Sequence, residues 1–347
     1  MRLGYSLGPI AGSGLTPAAH ADLVRLAERL GYESVWSSEI SATDPVAFLA
    51  WLAAQTVTVR LGSGVLQIAG RSALTAAVSA ASMSQLTGGR FALGVGLSGP
   101  QMVEGWHGQP YDRPLARLRD YVTVLRMALA GDPVRYQGET LAVPIGEAPP
   151  PVLAPAASGH FRPVPLYLAG LGPKTVALAG ELADGWIAIH CPPDYLTQAR
   201  SWLEAGAQTA GRTLADFDAA VMVLTLVEED EGLARDIMRP HVALYVGGMG
   251  TQQVNYYNRL ARRLGFGAAA TRVQSAYLAG SLDEAQEAVP DEMVDAMTLC
   301  GPAARVKERM EAYRAAGTGT LIVSLVAEGA RMRREQMERI TELMPGW

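Results

Sequence analysis

Short apolar runs at residues 3–8, 33–37, 57–67 and 90–97 alternate with stretches in which apolar residues recur every three or four positions. The runs lack the in-and-out alternation of a half-exposed strand. They read as strands buried on both faces, as in a parallel sheet. The periodic stretches read as amphipathic helices. Thr16-Pro17 opens one, a good cap followed by proline at the first helical position; Leu23, Leu26, Ala27 and Leu30 share a face and Gly31 ends it. Asp44-Pro45 opens the next, which runs through Ala54. Residues 73–86 and 114–130 follow as helices. Beyond a small hairpin at 134–143 and a proline-marked loop at 144–163, strands are expected at 164–169, 186–190, 218–227 and 320–325. Helices are expected at 174–182, 192–209, 302–316 and 332–343.

Eight strands alternating with helices suit a closed (β/α)8 barrel, the TIM barrel, better than an open sheet. The chain, 1–347, reads as one domain. One stretch, about 228–299, is too long for a single connection and reads as a helical insertion after strand seven. Such an insertion on the catalytic face builds a substrate pocket, or else serves packing or dimer contacts.

Composition narrows the function. With 49% hydrophobic and 18% charged residues, the chain can bury a large core and is not of disordered type. A net charge of −5 with interspersed signs offers no basic stripe for nucleic acid. Cys191 and Cys300 show neither disulfide nor metal spacing, which fits a reducing cytoplasm. The start reads as a strand, not a signal peptide, and no apolar run is long enough to span a membrane. No H-E-x-x-H or G-x-S-x-G pattern points to a metal or a hydrolase, and His20, His160 and His241 show no partner spacing.

The candidate chemistry gathers at strand ends, where barrel enzymes work. Gly94-Val95-Gly96-Leu97-Ser98-Gly99 matches G-x-G-x-x-G, but Pro100, Trp106, Gly108 and Pro110 follow where a Rossmann helix should start. The glycines are instead expected to let a cofactor approach the backbone. Gly170-Leu171-Gly172-Pro173-Lys174 is a glycine-rich turn between a strand and a helix. It forms either an anion site at a helix start or an ordinary connection. Ser37-Ser38-Glu39 ends strand two; Glu39 is a proton donor, a hydrogen-bond partner for a bound ring, or a cap or ion pair. Glu104 and His107 lie in a loop after strand four. His107 can serve as an acid or as a loop anchor. His190 ends strand six. Gly62-Ser63-Gly64-Val65 places glycines in strand three, which implies a close approach.

The chain resembles the luciferase-like monooxygenase superfamily of flavin and deazaflavin oxidoreductases. The segments that carry the resemblance are Leu30-Gly31-Tyr32-Glu33-Ser34-Val35-Trp36-Ser37-Ser38-Glu39, Arg60-Leu61-Gly62-Ser63-Gly64-Val65 and Gly89-Arg90-Phe91-Ala92-Leu93-Gly94-Val95-Gly96. Val103-Glu104-Gly105-Trp106-His107-Gly108, the turn at Gly170, Gly180-Glu181-Leu182-Ala183-Asp184-Gly185-Trp186 and Gly301-Pro302-Ala303-Ala304-Arg305-Val306 complete them. The segment at Val103 is closest to members that use coenzyme F420. The resemblance implies a barrel with an insertion, often a homodimer, acting on a small-molecule or peptide substrate. It implies a non-proline cis peptide at or beside Gly64-Val65, behind the cofactor ring. It places Ser38, Gly64, Val65, Gly96, Leu97 and Ser98 along the cofactor and Ala169, Gly170, Leu171, Gly172 and Pro173 at its phosphate. Glu39, Glu104 and His107 are the candidate catalytic residues, and no metal is expected. Several F420-dependent members carry an acid followed by histidine after strand two; here Ile40 follows Glu39, so a proton relay must use Glu39, Glu104, His107 or solvent. The function implied is hydride transfer between reduced F420 and an activated C=C or C=N bond. The alternatives are an FMN-dependent monooxygenase and a barrel that binds a ligand without turnover.

Overall fold

Eight parallel strands pair in chain order and the last closes on the first. They are β1 (Arg2–Ser6), β2 (Ser34–Ser37), β3 (Arg60–Ser63), β4 (Phe91–Gly96), β5 (Leu166–Ala169), β6 (Gly185–Ile189), β7 (Asp218–Val227) and β8 (Thr320–Leu325). β8 returns to β1 with Arg2 opposite Thr320 and Tyr5 opposite Val323. The computed structural model describes residues 1–8, 13–41, 43–153 and 162–344. His160 and the centre of the 144–163 loop lie outside these.

Helix starts follow local chemistry. Thr16 accepts from the Ala19 amide, Asp44 from those of Val46 and Ala47, and Ser72 from that of Thr75, each satisfying N–H groups a first turn leaves unpaired. The helices wrap the barrel and share a continuous apolar layer with the outer faces of the strands. The lumen is filled separately, by Trp36, Ala92, Tyr167, Ile187, Ala220, Met222 and Ile322. Gly62 is required here, because a Cβ on it would lie 2.4 Å from the Trp36 ring. The close approach expected in strand three is thus made by an indole of the protein itself.

The N-terminal end of the lumen is closed by a polar knot. Asp218 Oδ2 accepts from the Tyr167 hydroxyl at 2.9 Å and the Thr320 hydroxyl at 2.7 Å, and pairs with Arg2 Nη2 at 2.9 Å. Asp218→Ala would leave two buried hydroxyls and a guanidinium without their acceptor. A loss of about 3 kcal/mol is expected, read as a lower urea midpoint, with Asp218→Asn less affected. Equal midpoints for wild type and Asp218→Ala would remove the knot from the stability of the barrel.

β3 is interrupted. Gly62 lies opposite Ala92, but after Gly64 and Val65 the strand resumes at Leu66–Gln67 with Leu66 opposite Val95. The register has slipped by one residue, which is a bulge, and the Gly64–Val65 peptide is cis.

Residues 228–299 fold as helices Glu231–Ala243, Tyr256–Arg263, Gly267–Leu278, Leu282–Glu287 and Asp291–Met297, with a π-helical turn at Leu244–Gly248. A strand not expected from the pattern, Thr298–Gly301, follows and pairs with Leu224–Val227. The cause is the length of β7. It outruns β6, which pairs with it only as far as Met222, so its far edge is open. The segment after β4 is also not a plain loop: Gln101–Trp106 forms a π-helical turn. Among the described residues no helix is long and apolar enough to cross a membrane.

Candidate active site at the barrel mouth

The lumen core ends at the C-terminal rim in Val65, Ala169 and Ile189, which pack on it while only partly buried. They form an apolar floor open toward the mouth. The bulge in β3 makes this floor, and β4 is shaped to accept it. A Cβ on Gly94 would lie 2.1 Å from the Ser63 carbonyl oxygen, and one on Gly96 2.9 Å from Val65 Cγ2. The glycines of the G-x-G-x-x-G match therefore make room for the neighbouring strand. The Ser63 hydroxyl donates to the Gly94 carbonyl and accepts from the Gly94 N–H, at 2.9 Å each. Ser38 donates to the Gly64 carbonyl at 2.6 Å, and the Glu39 amide to the Val65 carbonyl at 3.1 Å. Leu97 and Ser98 line the rim partly buried, with Ser98 in the left-handed region at φ 61°.

Beside the floor lies a cleft of about 290 Å³ lined by Glu39, Ile40, Thr43, Gln67, Met102, Trp106 and His107. Glu39 is fully engaged: Oε2 accepts from the Gln67 amide at 2.5 Å and Oε1 from Arg71 Nη2 at 2.5 Å. Burial opposes the charge on Arg71, but Glu39 and Asp44 outweigh it, so its pKa lies above the ordinary arginine value. The Gln67 side chain donates to the Glu39 carbonyl at 2.9 Å, and its oxygen faces His107 Nε2 at 3.2 Å. Glu39 and His107, from different strand ends, thus meet through Gln67. Glu104 does not join them; it is exposed and accepts from the Tyr111 amide at 3.2 Å.

The turn after β5 is the second feature. Gly170 is packed, since a Cβ there would meet Thr175 at 2.3 Å, and its carbonyl accepts from the Trp186 indole at 2.7 Å. Gly172 is different. It caps helix Pro173–Leu182 without a side-chain hydrogen bond, and a Cβ on it would meet nothing within 4 Å. A helix start that leaves its first N–H groups to the space beyond is an anion site. Arg263, from the insertion, places Nη1 3.4 Å from the Leu171 carbonyl, and the Tyr195 hydroxyl donates to the same oxygen.

The insertion spans this side of the mouth. Tyr256 meets Tyr111 hydroxyl to hydroxyl, and Gln101 donates to the Gly248 carbonyl at 3.3 Å. His190, at the end of β6, is buried with φ 57°, its ring 4.2 Å from that of Tyr245, and burial lowers its pKa to about 3. Its ring also packs toward Tyr257, so that it braces the insertion against the end of β6 in neutral form. Gln67, Arg71, Tyr256 and Arg263 were not legible as site residues, since the first two come from the stretch after β3 and the last two from one helix of the insertion, and none belongs to a motif. Another surface concavity, about 610 Å³ beside Arg212 and Leu214, precedes β7 at the opposite end of the barrel, away from these groups. Among the described residues no group of three His, Cys, Asp or Glu side chains could hold a metal ion.

An apolar floor suits a planar ring, and the adjacent helix start suits a phosphate. A family model described as luciferase-like monooxygenase matches residues 1–320. A Mycobacterium tuberculosis protein named as a coenzyme F420-dependent oxidoreductase is 35% identical over 335 residues, covering 93% of this chain and 95% of its own. The 5,10-methylenetetrahydromethanopterin reductase of Archaeoglobus fulgidus is 27% identical over 302 residues, covering 86% and 87%. Among solved structures, the coenzyme F420-dependent tetrahydromethanopterin reductase of Methanopyrus kandleri superposes with a TM-score of 0.80 at 23% identity, covering 99% of this chain and 98% of its own, a likeness of fold.

Proposed function

Because the chain belongs to the luciferase-like monooxygenase family, we propose that it is an oxidoreductase transferring hydride between reduced coenzyme F420 and a small organic substrate with an activated C=C or C=N bond. The observation that carries this reading is the open apolar floor of Val65, Ala169 and Ile189 next to the uncapped helix start at Gly172. Val65, Ala169 and Ile189 would hold the deazaflavin ring by apolar contact. Gly172, the amides that follow Pro173, and Arg263 hold its phosphate. When bound, F420 supplies a hydride and reacts poorly with oxygen. The protein then has to orient the substrate, exclude water and move one proton.

His107 moves that proton. Glu39, with both oxygens occupied, holds Gln67 and the rim of the cleft in place. Glu104 fixes the segment through Tyr111. With Ile40 directly after Glu39, the proton is left to His107, which reaches in from the end of β4 and meets Gln67. Cys191 and Cys300 are buried free thiols, in keeping with a cytoplasmic setting.

The second reading, an FMN-dependent monooxygenase, is favoured by the description of the family itself. Fluorescence titration separates the two. Micromolar affinity for F420, oxidised or reduced, with FMN at least about tenfold weaker (about 1.4 kcal/mol), is the expected result. Tight FMN binding without F420 binding would transfer the site to the monooxygenase reading. Binding of neither by folded protein would leave a non-catalytic barrel.

A further inference from the structure

We propose that Gln67 is a positioning residue that fixes His107 in one tautomer, with the proton on Nε2, so that Nδ1 is the nitrogen offered to the substrate. The inference rests on the hydride-transfer reading above for its purpose, but not for its geometry.

An imidazole alone does not select which nitrogen carries its proton; the partner of the other nitrogen does. A carboxamide is directional, with NH₂ only donating and C=O only accepting. Here its direction is set from the far side. The Glu39 carbonyl, which can only accept, lies 2.9 Å from Gln67 Nε2. Gln67 Oε1 is thereby the atom turned to His107 Nε2, 3.2 Å away, and it can only accept. His107 must donate from Nε2, and Nδ1 is left for the reacting group. The Gln67 side chain is buried and its Nε2 is held by the Glu39 carbonyl, while its backbone N–H, donating to Glu39 Oε2 at 2.5 Å, fixes the point from which the side chain extends.

The surrounding charges suit an acid that must give its proton up. A carboxylate bound directly to the imidazole would hold the cation, whereas an amide orients the ring without adding charge. Glu39 is close: a Cβ on Gly70 would lie 3.2 Å from Glu39 Oε2 and 3.3 Å from His107 Cε1. Its negative charge is, however, taken up by Arg71 at 2.5 Å and by the Gln67 amide. As hydride reaches the substrate carbon, the electron pair of the C=C or C=N bond moves to the far atom. That atom takes the proton from Nδ1 of the imidazolium, and the ring is left neutral with its remaining proton on Nε2, hydrogen-bonded to Gln67. Solvent restores the proton for the next cycle.

The test uses ¹⁵N-histidine-labelled full-length protein and needs neither F420 nor substrate. Its outcome is therefore separate from that of the cofactor titration. His107 is assigned among the five histidines by comparison with His107→Asn. The neutral ring is expected as the Nε2–H tautomer in wild type. In Gln67→Leu the preference for Nε2–H should fall about five- to tenfold, the equilibrium value of one hydrogen bond. A wild-type ring in the Nδ1–H form overturns the proposal without any variant, as does a folded Gln67→Leu whose tautomer is unchanged. If F420 fails to bind while the Nε2–H tautomer is found, the cofactor reading falls and the role of Gln67 in orienting His107 stands.

Discussion

Gly172→Val is expected to abolish F420 binding and leave the fold intact. The separation is clean because nothing in the protein requires glycine at this position. Its backbone, at φ −95° and ψ 151°, is ordinary extended chain that any residue adopts, and a Cβ meets no atom within 4 Å. What an added side chain does meet is the ligand. The helix start is an anion site because its first amides have no intrahelical partner and its dipole is positive there. A branched side chain at the cap occupies the space into which those amides point. An affinity loss of about a hundredfold or more, roughly 2.7 kcal/mol, is expected by fluorescence titration, with the melting temperature within a degree of wild type. Gly172→Ala should lie between the two. If Gly172→Val binds F420 as wild type does, the phosphate lies elsewhere and the turn after β5 is only a connection.

The opposite behaviour is expected of Gly206→Ala. Gly206 lies in helix Pro193–Thr209, which crosses helix Pro173–Leu182 at backbone contact. A Cβ on Gly206 would lie 1.8 Å from the Ala177 carbonyl oxygen, and one on Gly180 2.0 Å from that of Leu203. The obstacles are backbone atoms, so relief requires the two helices to separate. In a free helix the same substitution would stabilise by about 1 kcal/mol through propensity. Overpacking of about 3 kcal/mol should outweigh it, leaving a net loss of about 2 kcal/mol that lowers the melting temperature by about 3 °C in a chain of this length. The sign is decisive: a rise in melting temperature would mean that the helices yield freely. Because helix Pro173–Leu182 carries the proposed phosphate site at its start, Gly206→Ala should also weaken F420 binding, unlike the stability knot at Asp218 on the far rim.

The contrast between these glycines shows where pattern reading succeeds and where it stops. The glycines after β4 and β5 stand out equally in the sequence. Only the neighbours in space reveal that Gly94 and Gly96 serve the β3 bulge and Gly170 serves Thr175, while of these four Gly172 alone has open space where a Cβ would sit. The strand Thr298–Gly301 was hidden for a related reason. Its pairing depends on the spare edge of a long β7, which no local signal reports.

By itself the sequence determined the barrel, the register of helices against strands and the chemistry gathered at the strand ends, because burial on both faces and helix caps act within a few residues. It also marked Glu39 and His107 as reactive side chains. Only the tertiary structure decided what they do. Glu39 is tied to Arg71 and Gln67, and His107 is turned by Gln67, because the hydrogen bonds that set charge and tautomer join groups from three separate strand ends. Arg263 comes to the anion turn only because the insertion folds across the mouth. Such contacts are fixed by closure of the sheet, a property of the whole chain.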